Sequence, residues 1–151
     1  MRPYGREQLE SLYFEYPKFR APKFNKNKEE AVDVTIVGAG PIGLTAALTL
    51  AKYGVSSVIL EAKDTFNDGS RAICIARQSF HIFDTLGVIN QFTKKALGWT
   101  KGRSFYRGKQ ILEFDMPDSK NQKYRPMYNL EQQYIEKFLH DEAIKQPNIN
   151  I

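Results

Sequence analysis

Val32-Asp33-Val34-Thr35-Ile36-Val37-Gly38-Ala39-Gly40-Pro41-Ile42-Gly43, a helix-like run, and then Ser56-Ser57-Val58-Ile59-Leu60-Glu61 make up the stretch that decides the fold. Val32, Val34, Ile36 and Val37 are a β-branched apolar run suited to a strand buried on both faces. Gly38, Gly40 and Gly43 follow at the spacing G-x-G-x-x-G. The first glycine permits a tight turn, the second lets backbone come close to a phosphate, and the third allows a helix to lie against a strand. Pro41 suits a first helical position, where its missing N–H costs nothing. Ile42, Leu44, Ala46, Ala47, Leu48, Leu50 and Ala51 predict a largely buried helix, stopped at Gly54. Ser57 to Leu60 read as a second strand that Glu61 closes.

These parts fit one device, a pocket for the pyrophosphate and ribose of a dinucleotide. Unpaired N–H groups and the positive end of the helix dipole would face the pyrophosphate. Glu61 stands about 20 residues beyond the last glycine, the separation at which an acid accepts hydrogen bonds from the adenosine ribose. A glycine-rich turn with a purely structural role is the alternative reading.

Bulk properties set the limits. At 151 residues the chain is about one domain long and can bury a core. Its 42% hydrophobic and 26% charged residues are those of an ordinary globular protein. No apolar run reaches the roughly 18 residues of a spanning helix, so no membrane span is expected, and the N-terminus lacks a signal-peptide pattern. Cys74 is the single cysteine, which excludes an internal disulfide and fits a cytoplasmic location. The net charge of +5 is dispersed, with acids interleaved among the lysines and arginines, so a nucleic-acid partner is not expected.

Residues 1–30 hold Pro3, Pro17 and Pro22 and the aromatics Tyr4, Tyr13, Phe14, Tyr16, Phe19 and Phe24. They read as an irregular arm, too aromatic for a disordered leader, that packs on its own domain or on a neighbour in a homo-oligomer. The domain proper would occupy 31–151. Beyond a polar loop at 63–70 comes Arg71-Ala72-Ile73-Cys74-Ile75, with Cys74 expected as a small core residue. Phe80, Ile82, Phe83 and Leu86 predict a helix that Gly87 stops, and 89–96 a second short one. Residues 104–115 read as a hairpin turning at Gly108. Tyr134, Ile135, Phe138, Leu139 and Ala143 predict a helix ended by Pro147, and Asn148 to Ile151 the start of a further strand. The fold class expected is α/β: a Rossmann-like βαβ unit with an additional β-hairpin and helices, its sheet unfinished.

Little else names chemistry. His81 and His140 sit apart on predicted helices, no cluster has metal-ligand spacing, and no residue declares itself a general acid or base. Trp99 reads as a packing residue. Arg71, just past the acid-bearing strand, is either a planar fork for phosphate oxygens or an ordinary loop arginine in a surface ion pair.

Gly38 to Leu44, Glu61, the Ser70-Arg71-Ala72 segment, Leu86-Gly87-Val88 and Gln132 to Leu139 together resemble the N-terminal part of the FAD-dependent aromatic hydroxylases. These are single-component flavoprotein monooxygenases similar to the para-hydroxybenzoate, phenol and 3-(3-hydroxyphenyl)propionate hydroxylases, and Gln132 to Leu139 is similar to their Gln-x-x-Leu-Glu-x-x-Leu segment. The resemblance spans about residues 32 to 151. It implies that Gly38, Ala39, Gly40, Pro41, Ile42 and Gly43 cradle the FAD pyrophosphate, and that Glu61 with Ala62 holds the adenosine ribose. Arg71 would contact the phosphates near the flavin, and Gln132 would hydrogen-bond the cofactor's linker. Family members reduce FAD with NADPH or NADH and use O₂ to hydroxylate a phenolic ring. They run to several hundred residues, with a later Gly-Asp segment and a substrate domain that this sequence lacks. The chain is therefore expected to be an N-terminal portion that does not hydroxylate alone. Two readings stay open beside it: an NAD(P)-dependent oxidoreductase with a plain Rossmann domain, and a non-catalytic flavin-binding or interaction protein.

Overall fold

Strand β1 (Val34–Val37) leads through the glycine turn into helix α1 (Pro41–Lys52), which returns the chain to β2 (Ser57–Leu60). A computed structural model of the chain describes residues 14–21, 31–68 and 73–151. The chain divides into two compact units, one formed by residues up to 71 together with 132–151, the other by 72–131.

In the first unit β1, β2 and β8 (Ile149–Asn150) form a parallel sheet in the order β1-β2-β8. Val34 to Val37 pair in register with Ser57 to Leu60, and Ser57 and Val58 pair with Ile149 and Asn150. The strand begun at Asn148 to Ile151 is thus real, and it adds to the sheet beside β2. Asn148 also reaches back, its side-chain amide donating to the carbonyl of Val55 at 3.1 Å. Helix α1 packs on α4 (Gln132–Ala143) and on the sheet. Leu44, Ala47, Leu48, Ile59, Ile135, Leu139, Ala143 and Ile149 form the core.

Two expectations are corrected here. The strand β1 is not buried on both faces: Thr35 and Val37 are exposed, Val37 at 85%. Among the described residues it stands at one edge of the sheet, and α1 lies against it on the side that carries Ile36. Helix α1 likewise buries one stripe, Leu44, Ala47 and Leu48, while Ile42 and Ala46 face outward.

Phe14, Tyr16 and Phe19 fall in a segment without regular structure that packs within the first unit. The Phe14 ring meets Tyr134 edge-on at 4.9 Å and Phe66 at 6.2 Å. The Phe19 N–H donates to the Asp64 carbonyl at 2.7 Å.

The second unit holds β3 (Cys74–Ala76), α2 (Arg77–Thr85), α3 (Ile89–Lys95), β4 (Leu97–Trp99), β5 (Lys101–Tyr106), β6 (Lys109–Asp115) and β7 (Met127–Asn129). An antiparallel sheet runs β3-β7-β4. Its core is aromatic: Phe80 stacks on Tyr128 at 3.7 Å and Phe83 on Phe92 at 4.2 Å. The hairpin β5–β6 turns at Arg107 and Gly108, both with positive φ, as a two-residue hairpin turn requires. It starts at Lys101, three residues ahead of the expected boundary, and one face carries Lys101, Arg103 and Glu113 in ion pairs. Hydrogen bonds from Lys101 and then Arg103 lower the Glu113 carboxyl to about 2. Cys74 is exposed, contrary to expectation, because in this short strand it is the neighbouring Ile75 that points inward.

Candidate cofactor-binding site

The glycine turn owes its shape to two of its three glycines. Gly38 has φ of +103°, a conformation closed to residues with a Cβ by sterics. Its N–H continues the sheet, donating to the Leu60 carbonyl at 2.7 Å. At Gly43 an added Cβ would lie 2.0 Å from the Gly38 carbonyl oxygen and 3.2 Å from Ile36 Cγ2, so the helix rests directly on the turn. Around Gly40 there is nothing within 4 Å of a Cβ. The tight contact is below the helix; the space at its mouth is open.

Gly40 is the N-cap of α1 and provides no side-chain cap, and Pro41 follows. The N–H groups of the first helical turn have no intrahelical partners, so they and the dipole's positive end are available to an anion. No acid stands in that first turn to compete. The cradle therefore fits a pyrophosphate by its chemistry as well as its shape.

Glu61 follows β2 directly, and its carboxyl is a clasp. One oxygen accepts the Ala39 N–H at 2.7 Å and the other the Lys63 N–H at 2.9 Å. Glu61 therefore ties the tip of the glycine turn to the loop after β2. Each oxygen keeps a lone pair for a hydroxyl, and Glu61 and Ala62 are both exposed. Sequence reasoning gave Glu61 a ligand and missed this link between the two ends of the βαβ unit.

Gln132 opens α4, half-buried, and donates from Nε2 to Glu136 Oε1 at 2.8 Å. Glu136 is 5% exposed, and its other oxygen accepts the Asn67 N–H at 2.8 Å. Asn67 was not singled out from the sequence, and Glu136 entered only as the glutamate of the Gln-x-x-Leu-Glu-x-x-Leu likeness, with no role given to it. A glutamate four residues after Gln132, amid the apolar positions Tyr134, Ile135 and Leu139, was the available signal. Arg71 and its neighbours Ser70 and Ala72 lie outside the described residues.

Elsewhere among the described residues several polar and charged groups bond one another. In the second unit the Trp99 indole N–H donates to Asn129 Oδ1 at 2.9 Å, so Trp99 is anchored by a polar bond and not only packed. An open depression of about 620 Å³ along Asp118 to Tyr128 is lined in part by paired charges, with Asp118 bound to Arg77 at 2.6 Å and Lys123 to Asp84. His140 is half-buried against Phe19 and Phe66, and burial holds its pKa below the ordinary value of 6.5. Among the described residues no group of three His, Cys, Asp or Glu could hold a metal ion. No helix among them is long and apolar enough to cross a membrane.

Comparison with known proteins agrees with this geometry. The sequence model of the FAD binding domain matches residues 31–151. The chain is 41% identical over 64 residues to a 3-(3-hydroxy-phenyl)propionate/3-hydroxycinnamic acid hydroxylase of Mycolicibacterium smegmatis, covering 42% of this chain and 11% of that protein. It is 30% identical over 129 residues to the FAD-dependent monooxygenase ankC of Aspergillus thermomutatus, covering 82% of this chain and 22% of that one. Among solved structures, p-nitrophenol 4-monooxygenase PnpA from Pseudomonas putida DLL-E4 superposes with a TM-score of 0.68 at 26% identity, over 78% of this chain and 30% of that chain. The flavin-dependent monooxygenase PieE, solved with FAD and substrate, shares the fold at a TM-score of 0.67 and 24% identity, over 79% of this chain and 23% of that chain. The chain thus spans less than a third of each of these relatives. By its fold, its glycine turn and the match over 31–151, the chain belongs to the FAD binding domain family, whose relatives are FAD-dependent aromatic hydroxylases and monooxygenases.

Proposed function

We propose that this chain builds the adenosine-side half of an FAD site in a flavoprotein monooxygenase that hydroxylates a phenolic ring with NADPH or NADH and O₂. The observation that carries the reading is the turn itself. A helix N-terminus without side-chain cap or acid is seated on Gly38 by a glycine that admits no Cβ, and is clasped through Ala39 to the acid after β2. The family favours FAD over the plain NAD(P) alternative.

In this reading the N–H groups at Gly40, Ile42 and Gly43 hold the pyrophosphate, with Pro41 shaping the first turn. The Glu61 carboxyl accepts from the ribose hydroxyls while its protein partners keep it oriented, and Ala62 lines the same edge. Gln132 bonds the cofactor's linker, and Arg71 pairs with phosphate oxygens. When bound, FAD supplies the redox and oxygen chemistry; the chain's own residues bind and orient it. The substrate would be a small aromatic compound, in keeping with the hydroxylases among the relatives. An exposed, unbridged Cys74 suits a reducing compartment, and the cytoplasm is the location proposed.

Titrating FAD into the purified 151-residue chain, read by quenching of flavin fluorescence, tests the proposal. Saturable FAD binding with little response to NADH or NADPH is expected. Binding of NAD(H) in preference to FAD, or of neither, would overturn it.

A further inference from the structure

The loop that leaves β2 is fastened at two points by carboxyl groups. At its start Glu61 bonds the Ala39 and Lys63 N–H groups. Further along, the backbone N–H of Asn67 donates at 2.8 Å to Glu136, which stands 69 residues later on α4 and is 5% exposed. A buried carboxyl is a costly way to fill space that a leucine would fill at no desolvation cost, so its presence calls for a polar reason. Holding the loop accounts for one oxygen only. The other accepts from Gln132 Nε2 at 2.8 Å.

That second bond decides which way the Gln132 amide points. In this bond the Glu136 oxygen is the acceptor, so the amide must turn its nitrogen inward and present its carbonyl oxygen, with one remaining N–H, away from Glu136. A hydroxyl-bearing ligand would meet an acceptor first. We propose that Glu136 is a positioning residue for the cofactor site: it fixes the amide orientation of Gln132 and, through the same carboxyl, the loop that Glu61 begins. This rests on the FAD reading above, since it needs Gln132 and Glu61 to face the cofactor.

Glu136→Gln separates this role from simple packing. The new amide keeps one oxygen for the Asn67 N–H but offers its nitrogen to Gln132, which must then reverse its own amide. The FAD affinity of E136Q is expected to fall roughly tenfold, the loss of about one hydrogen bond. Gln132→Ala should show a similar loss, and the double variant should be no weaker than Gln132→Ala alone, because one effect acts through the other. Additive losses, or an E136Q chain that binds FAD like the wild type, would overturn the inference and leave the FAD reading standing. A wild-type chain that binds no FAD would instead remove the reading and the inference with it. Amide hydrogen exchange on the wild-type chain gives a test independent of any variant. FAD should slow exchange at Asn67, and unchanged exchange there would count against the coupling.

Discussion

Replacing Gly43 by alanine places a methyl carbon 2.0 Å from the Gly38 carbonyl oxygen and 3.2 Å from the Gly38 carbonyl carbon. Carbon and carbonyl oxygen sit comfortably at about 3.3 Å, so the two must part by roughly 1.3 Å. The obstacle is backbone, and that backbone is not free to give. Gly38 is held at φ +103° and its N–H is bonded to Leu60 at 2.7 Å. Overpacking of this kind costs about 1–3 kcal/mol and here falls at the upper end. Alanine's better helix propensity returns about 1 kcal/mol, leaving a net loss of about 2 kcal/mol. With a urea dependence of about 1.5 kcal/mol/M for a domain of this size, the unfolding midpoint should drop by roughly 1.3 M. Circular dichroism against urea measures it without cofactor. Gly40→Ala is the matched control. Its Cβ meets open space and its φ of −74° suits alanine, so the midpoint should move by no more than about 1 kcal/mol's worth, the N-cap difference. FAD binding should nonetheless weaken, because the methyl would occupy the mouth of the cradle. A Gly43→Ala chain as stable as the wild type would refute the reasoning, since it would mean that α1 does not rest on the turn.

Further outcomes follow from the same contacts. Gly102→Ala puts a Cβ 2.3 Å from Phe114 Cζ, closer than the ordinary limit, yet the obstacle is the far end of an exposed ring that can swing aside. Its urea midpoint should match the wild type to within about 0.5 kcal/mol; a loss comparable to that of Gly43→Ala would show that steric distance alone sets the cost. His140 is held below its ordinary pKa of 6.5, chiefly by burial, with Asp141 raising it and Lys137 lowering it. Between the folded value and 6.5 the unfolded chain binds a proton that the folded chain refuses, so stability rises with pH there. The contribution is complete above 6.5 and is lost as pH falls through the folded value. Thermal melts from pH 7.5 downward should therefore show a steeper fall for the wild type than for His140→Gln, and parallel curves would contradict it.

The sequence by itself determined the βαβ unit and the glycine turn on which the proposed cofactor site rests. β-Branched runs, three glycines and a proline act within a few residues of one another, and the backbone angles they allow are local properties. That is why α1 begins at Pro41 and β2 ends before Glu61 as read. The start of β8 was also legible, from alternation alone. Other features belonged to the tertiary structure. The strands β4 and β7 are three residues each, and what makes them strands is their pairing, Leu97 to Trp99 against Asn129 to Met127, which no short window contains. The exposure of Val37 and Cys74 depends on which faces are covered, and periodicity does not report that. The site divides in the same way. Gly38, Gly40 and Gly43 announce themselves by their spacing, and at Gly38 and Gly43 only glycine fits, whereas Glu136 acts through partners 4 and 69 residues away. A carboxyl on a helix reads as a solvated charge until folding buries it against a backbone N–H, and only the packing of α4 beside the loop after β2 does so.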